Sequence, residues 1–432
     1  MTVVAQRPTP ARELAFQVVR DVFGPDARAA QGSFDAHLRR SRLDSRDVAF
    51  AAELAYGTIE QRRLLDWYIA PYLADRAKAL PPAIAEILRL GVYQIAMMSG
   101  VDAHAAVHET VNLALRHGHR GTAGLVNAIL RRLIVDAPAP PDRSGFKSEA
   151  DYLGTRYSLP TWIVTQLGQT FGEQLEAILS GLNRAPQRAV RVNRLRATVD
   201  EAIGALAANG VRTRRSERVE EVLVVEAGIA SDDAQGRWSV QSESASIPAA
   251  ILDPKPGENV LDLCAGRGNK SIQIAARMNN EGALYCVEID ARKIGTLTAD
   301  LERSGVECAA LVSGDVRTAD LPFADAVLLD APCSGIGIIG RHPEARWRKS
   351  PDDGARLAAL QGELLEAAAR RVKAGGRLVY SVCSTDRREG IDLAEAFLAA
   401  NREFRSHGED VLIAPGIDGR DGFYVASFLY VG

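Results

Sequence analysis

The chain is short of lysine and of paired cysteines, and the second shortage closes two lines of interpretation. Seven lysines stand against forty-five arginines. Arginine forks suit phosphate recognition, but arginine spread through a whole chain more often reflects a biased genome, so composition alone names no partner. The five cysteines, Cys264, Cys286, Cys308, Cys333 and Cys383, lie far apart without a Cys-x-x-Cys pair. That excludes a zinc cluster and a disulfide framework and leaves each cysteine as an inert buried hydrophobe or a reactive thiol. His104, His108, His117 and His119 have no third ligand type at hand, so no metal is expected. No apolar run approaches the roughly 18 residues of a membrane span. The N-terminal MTVVAQRPTPARELAF lacks the apolar stretch of a signal peptide. The expected location is the cytoplasm, with no membrane partner, and no oligomer is implied.

What is present is ordinary globular material: 432 residues, 47% hydrophobic and 25% charged, with a net charge of -3. This length suggests two or three domains. The first 150 residues carry a slight basic excess and the remainder an acidic one, less basic than nucleic-acid binders usually are.

Residues 1–140 are expected to form an all-α domain. Segments such as ARELAFQVVRDVF, HAAVHETVNLALRH and GTAGLVNAILRRLIV space their apolar residues by three and four. The proline-rich DAPAPPDRSGF, 136–146, reads as a linker. Residues 150–240 mix helical and strand signals, a small α+β connector. From 241 to 432, short apolar strands alternate with amphipathic helices, and Gly375 and Gly376 are read as closing the helix LAALQGELLEAAARRV. Such alternation specifies an α/β fold with a mostly parallel sheet covered on both faces, and ligands of such sheets gather at the carboxyl ends of the strands.

The first strand of that domain runs into Cys264, Ala265, Gly266, Arg267, Gly268, Asn269 and Lys270. Glycines allow a tight turn, and the helix that follows offers free amides and a positive dipole end. A phosphate-binding P-loop would need glycine where Asn269 stands, and the dinucleotide pattern would need a third glycine at Ser271. The second strand ends at Glu288, suited to ribose hydroxyls, and the third at Asp315. A nucleoside cofactor without a pyrophosphate, S-adenosyl-L-methionine, fits this set.

The fourth and fifth strands end in Asp330-Ala331-Pro332-Cys333-Ser334-Gly335 and Tyr380-Ser381-Val382-Cys383-Ser384. Two thiols and a carboxylate are therefore expected to converge beside the methyl donor. A thiolate adding to carbon 6 of cytosine makes carbon 5 nucleophilic, Asp330 can hydrogen-bond or protonate ring nitrogen 3, and a second group can help release the adduct. Lys270 and the donor's sulfonium are the expected sources of positive charge that favour a thiolate.

The runs VLDLCAGRGNKS, DAPCSGIGIIGRHPEARW and YSVCS resemble the RNA cytosine-5 methyltransferases of the bacterial Sun (Fmu) group, and LAYGTIEQRRLLDWYI, LRLGVYQIAMM, AAVHETVNLA and GLVNAILRRL resemble the NusB-like RNA-binding domain those enzymes carry. The resemblance covers nearly the whole chain. It implies a Rossmann-like class I methyltransferase domain with a mostly parallel seven-stranded sheet, preceded by the helical domain and an RRM-like connector. It also implies a 16S rRNA substrate, Cys383 as nucleophile, Cys333 as the residue assisting adduct breakdown, and a cofactor site at Cys264 to Lys270, Glu288, Asp315 and Asp330. Two features depart from the family pattern: Arg267 and Asn269 replace residues of an Ala-Pro-Gly-Gly-Lys loop, and VCS replaces TCS.

Arg341, His342, Arg346, Trp347, Arg348 and Lys349 mix cations with an aromatic ring after the Cys333 turn and are expected to contact RNA, the alternative being a solvated loop with Trp347 as a packed anchor. Arg131 and Arg132 are candidate RNA contacts of the helical domain. A non-catalytic RNA-binding assembly factor and a DNA cytosine-5 methyltransferase are the rival readings.

Overall fold

The computed structural model describes residues 9–73, 80–137 and 139–432. Residues 1–8 of the N-terminal stretch, residues 74–79 of the all-α region and Pro138 of the proline-rich segment lie outside them. By its internal packing the chain divides into two units, one of residues 1–165 and 341–348, the other of residues 166–340 and 349–432.

The first unit is helical: Pro10–Phe23, Ala30–Leu38, Ser45–Glu60, Arg62–Ile69, Pro82–Ala96, Ala103–His117, Arg120–Asp136 and Glu149–Arg156. Short polar side chains stop the chain fraying at several starts. Asp44 accepts the Asp47 amide at 2.8 Å and Asp102 accepts the Ala105 amide at 2.8 Å, and Pro82 needs no amide partner at its first-turn position. The apolar stripes of these helices meet in one core that includes Phe16, Leu54, Ile59, Leu65, Ile87 and Leu130, all fully buried.

The second unit holds two sheets. The smaller contains β1 (Arg188–Val192), β2 (Arg212–Arg215), β3 (Val222–Ala227) and β4 (Trp238–Val240) in the order β2-β3-β1-β4, with antiparallel pairing throughout. The larger contains β5 (Asn259–Leu263), β6 (Ala283–Glu288), β7 (Ala309–Ser313), β8 (Ala324–Asp330), β9 (Val372–Val382), β10 (Phe404–Ser406), β11 (Val411–Ile413) and β12 (Phe423–Tyr430). Its order is β10-β12-β9-β8-β5-β6-β7, seven strands on the main path, with β11 added as an eighth against β12. β5 to β9 pair in parallel, whereas β12 is antiparallel to its partners β9, β10 and β11. Apolar residues point to both faces of the central strands, giving one core with Leu261, Leu263, Val327 and Leu378 and another with Val260, Leu284, Leu328 and Val379. This double covering is what near-continuous apolar strands require.

One local expectation is corrected. Gly375 and Gly376 do not close the preceding helix, which ends at Ala369; they lie inside β9. The pairing of β8 with β9 shifts register between Ala324 and Ala326, and Gly375 takes a φ of +75° there, a bulge that glycine accommodates without strain. Among the described residues, no helix is long and apolar enough to cross a membrane.

Candidate active site

The parallel register sets the site. Asp330 is the last residue of β8 and pairs with Ser381 of β9, so the turns that follow these two neighbouring strands start side by side. Cys333 sits in the first turn and Cys383 directly follows β9; their sulfurs are 3.1 Å apart. Asp330 is held between two donors, the Lys270 ammonium at 2.6 Å to Oδ2 and the Ser381 hydroxyl at 2.7 Å to Oδ1. The structure thus brings together the four residues expected to do chemistry.

Lys270 comes from the helix Asn269–Arg277 that starts where β5 ends. Burial works against its charge, but the charge and hydrogen bond of Asp330 outweigh this and raise its pKa, so the ammonium persists at neutral pH. The Lys270 Nζ also lies 5.8 Å from the centre of the Phe423 ring. The Cys333 thiol is pushed well above its ordinary range by its hydrogen bond with Cys383, then by burial and by the charges of Cys383 and Glu389.

The loop after β5 is an open cradle. Cys264, Gly266 and Gly268 have φ values of +68°, +63° and +85°, and the loop turns back so that the Ala265 amide bonds the Val287 carbonyl at 2.8 Å. The Gly266 amide donates to Glu288 Oε2 at 2.8 Å, and the Asp290 amide donates to Oε1 at 2.8 Å. A Cβ at Gly266 would meet only the Cys264 carbonyl, at 4.0 Å, and one at Gly314 would meet nothing within 4 Å. Gly268 is different, since a Cβ there would stand 2.5 Å from Leu297 Cδ1. Beneath the loop, Asp262 is fully buried, accepts the Ser271 hydroxyl at 2.5 Å and leaves Oδ1 without a partner. Burial, with smaller contributions from neighbouring carboxylates, pushes its carboxyl up to about 7.

The remaining expected residues have other company. Arg267 is largely exposed and faces Asp300 at 3.5 Å. Asp315 is bonded through both oxygens by Arg317, whose hydrogen bonds hold the carboxyl low. Burial pushes Cys264 up to about 12 and raises Cys286 and Cys308 as well, which disfavours the thiolate form at all three.

The segment 341–348 belongs to the helical unit. Arg346, expected among the RNA contacts, is instead fully buried, with a bond to the Ser158 carbonyl at 3.3 Å and the charge of Glu60 nearby. Trp347 packs on the helical core and donates its indole N–H to the Ile59 carbonyl at 2.6 Å. Arg348 donates to the Val22 carbonyl at 2.9 Å and to the Arg28 carbonyl. Each of the three thus donates at least one hydrogen bond to a backbone carbonyl of the helical unit. His342 is exposed and Lys349 half-buried. Arg131, which bonds Asn127 at 3.0 Å, and Arg132, which faces Asp136 at 3.9 Å, are exposed on the helix Arg120–Asp136.

Sequence reasoning missed Ser334, Ser384, Gln361 and Glu389, a buried polar cluster directly behind the two cysteines. The only signal was position: each serine directly follows a cysteine.

Comparison with known proteins shows the family. Residues 249–429 match the 16S rRNA methyltransferase RsmB/F family, residues 9–135 the NusB family, and residues 159–231 the ferredoxin-like domain of RsmF/B-like methyltransferases. Ribosomal RNA small subunit methyltransferase B of Thermus thermophilus is 36% identical over 92% of this chain and 92% of its own. The probable ribosomal RNA small subunit methyltransferase B of Bacillus subtilis is 31% identical over 90% of this chain and 92% of its own. A crystal structure of a protein designated PH0851 aligns with a TM-score of 0.81 and 27% identity, covering 98% of this chain and 99% of that one. The two cysteine turns, the glycine loop and these likenesses along the whole chain place the protein in the ribosomal RNA small subunit methyltransferase B family.

Proposed function

We propose that the protein transfers a methyl group from S-adenosyl-L-methionine to carbon 5 of a cytidine in RNA, with small-subunit 16S rRNA as the substrate, in the cytoplasm. The observation that carries this reading is the 3.1 Å approach of the Cys333 and Cys383 sulfurs beside the Lys270–Asp330 pair. The residues fit the cofactor. The cradle above Gly266 and Gly314 is open, and Glu288 is fixed by backbone amides at the end of β6. Cys264, Ala265, Gly266, Arg267, Gly268, Asn269, Lys270, Glu288, Asp315 and Asp330 are the proposed holders. When bound, S-adenosyl-L-methionine supplies an electrophilic methyl group carried on a sulfonium.

The Cys383 thiolate adds to carbon 6 of the target base, which makes carbon 5 electron-rich enough to accept the methyl group. Lys270 supplies the positive charge that favours the thiolate, and Asp330, once protonated, donates a hydrogen bond to ring nitrogen 3, where negative charge develops. Cys333, once its own proton has passed to solvent, accepts the carbon 5 proton; the electron pair of that bond restores the carbon 5–carbon 6 double bond and expels Cys383 from carbon 6 as a thiolate. The base must be extruded from any helix to reach the sulfur. Arg131, Arg132, Arg341, His342 and Lys349 are proposed to contact the RNA backbone.

Incubation with methyl-labelled cofactor and 16S rRNA tests the reading. Label is expected at carbon 5 of cytidine with the unaltered chain and none with Cys383→Ser. Cys333→Ser is expected to accumulate a covalent protein–RNA complex. The reverse behaviour of the two variants would indicate the arrangement of DNA cytosine-5 enzymes, and RNA affinity without any transfer would indicate an assembly factor.

A further inference from the structure

Behind the two cysteine turns lies a carboxylate that thiol addition does not itself use. Glu389 ends the short turn Arg387–Glu389 and is fully buried. Its Oε2 accepts the Ser334 amide at 2.8 Å and Gln361 Nε2 at 3.0 Å. Its Oε1 accepts the hydroxyls of Ser334 and Ser384, the latter at 2.7 Å, and the two hydroxyl oxygens are 3.0 Å from each other. Gln361 also donates to the Pro332 carbonyl at 2.8 Å, and the Tyr380 hydroxyl donates to the Glu389 carbonyl at 2.6 Å. Ser334 follows Cys333 and Ser384 follows Cys383 in the chain. One carboxylate oxygen therefore binds the residue next to each sulfur. A buried carboxylate is tolerated only when donors fill its oxygens, and here those donors come from both cysteine turns.

We propose that Glu389 is a positioning residue that fixes the spacing of Cys333 and Cys383, and so the hand-over from base addition to base release. The proposal rests on the reading that these thiols act on cytosine.

The hydrogen-bond inventory separates the possible substitutions. Alanine removes every link. Aspartate is one methylene too short to span both turns. Glutamine keeps an oxygen for the two fixed donors, the Ser334 amide and Gln361, and turns its amide group toward two hydroxyls that are free to rotate and accept. Glu389→Gln therefore preserves the geometry and removes the charge. The groups acting on the Cys333 sulfur are Cys383 in the opposite turn and Glu389 behind both, with Tyr380 on β9 and the Asp330–Lys270 pair alongside. Losing the Glu389 charge removes one of the influences that keep the Cys333 proton in place.

The test uses the full chain and two readouts. The first is the rate at which hydrogen peroxide joins Cys333 and Cys383, measured by mass spectrometry without RNA or cofactor; each thiol gives up its proton, the sulfurs join, and the peroxide is reduced to two waters. The second is methyl transfer, with kcat, KM and pH profile. Glu389→Ala is expected to slow both disulfide formation and kcat on the order of 100-fold, the size of effect that follows a misplacement of about 1 Å, with KM for the cofactor unchanged. Glu389→Gln is expected to restore both rates and to move the pH profile of product release downward. Ser384→Ala, which removes a single hydroxyl link, reports in the same direction if the alanine variant at 389 fails to fold. Peroxide crosslinking as fast in Glu389→Ala or Ser384→Ala as in the unaltered chain overturns the proposal. Crosslinking that depends on Glu389 in a protein without methyl transfer upholds the clamp and rejects the catalytic reading instead.

Discussion

Lys270, in the first turn of the helix Asn269–Arg277, meets Asp330 at the end of β8 at 2.6 Å, with the lysine side chain 12% and the aspartate side chain 29% exposed. A pair this sheltered costs more to break than to replace, because removing one partner strands the other charge in a poor solvent. Lys270→Met is expected to lower unfolding free energy by about 2 to 4 kcal/mol and to abolish methyl transfer. In a double-mutant cycle with Asp330→Asn the losses are expected to be less than additive by about 1 kcal/mol or more, measured by urea unfolding. Additive losses would show that the two groups stabilise the fold independently.

Asp262 gives a pH signature. Its carboxyl loses its proton near 3.8 in the unfolded chain and near 7 in the folded one, so the folded state holds the extra proton across that window and stability falls as pH rises through it. Asp262→Asn removes this dependence. Relative to the unaltered chain, the variant is expected to gain unfolding free energy between about pH 5 and about pH 8. A difference that stays constant between those two conditions would mean that Asp262 does not titrate in this range.

Gly268 and Gly314 border the same cradle, but alanine is expected to have different effects at the two positions. At Gly268 the backbone is left-handed and the new Cβ runs into Leu297, whereas Gly314 opens on empty space. Gly268→Ala is expected to weaken S-adenosylhomocysteine binding tenfold or more, about 1.4 kcal/mol, by isothermal titration. Gly314→Ala is expected to fold with unchanged stability. Equal affinities in the Gly268 variant and the parent would show that the loop does not form the cofactor site.

Trp347 anchors its segment in the helical unit through its ring and its N–H bond to the Ile59 carbonyl. Trp347→Ala is expected to cost about 3 kcal/mol by loss of packing, seen as a lowered thermal midpoint. A surface role on RNA alone would leave that midpoint unmoved and change only RNA affinity.

Much of the site was legible because strand ends in a parallel sheet are easy to mark. Apolar runs stopping at Asp262, Glu288, Asp330 and Val382 located the loop, the acidic residues and both cysteines from the order of residues alone. Residues whose character depends on tertiary surroundings were not legible. Glu389 lies in TDRREG, which reads as an exposed charged turn, yet it is buried among donors from distant strand ends. Arg346 and Trp347 read as a cation and an aromatic on a loop, with Trp347 as a packed anchor the alternative, and only the helical core that receives both decides between the two. Gly375 and Gly376 follow a helical pattern so closely that a helix stop was the natural reading, while the bulge depends on pairing with β8.

Because the helical unit recruits residues 341–348, the polypeptide passes between the two units at three points, after residues 165, 340 and 348. A protease nick at the first point leaves residues 341–348, which belong to the helical unit, on the C-terminal piece. An N-terminal fragment expressed alone would lack its Trp347 plug and present a greasy socket to its neighbours. Grafting this helical unit onto another enzyme, or deleting it cleanly, therefore demands that two separated stretches of gene be exchanged together.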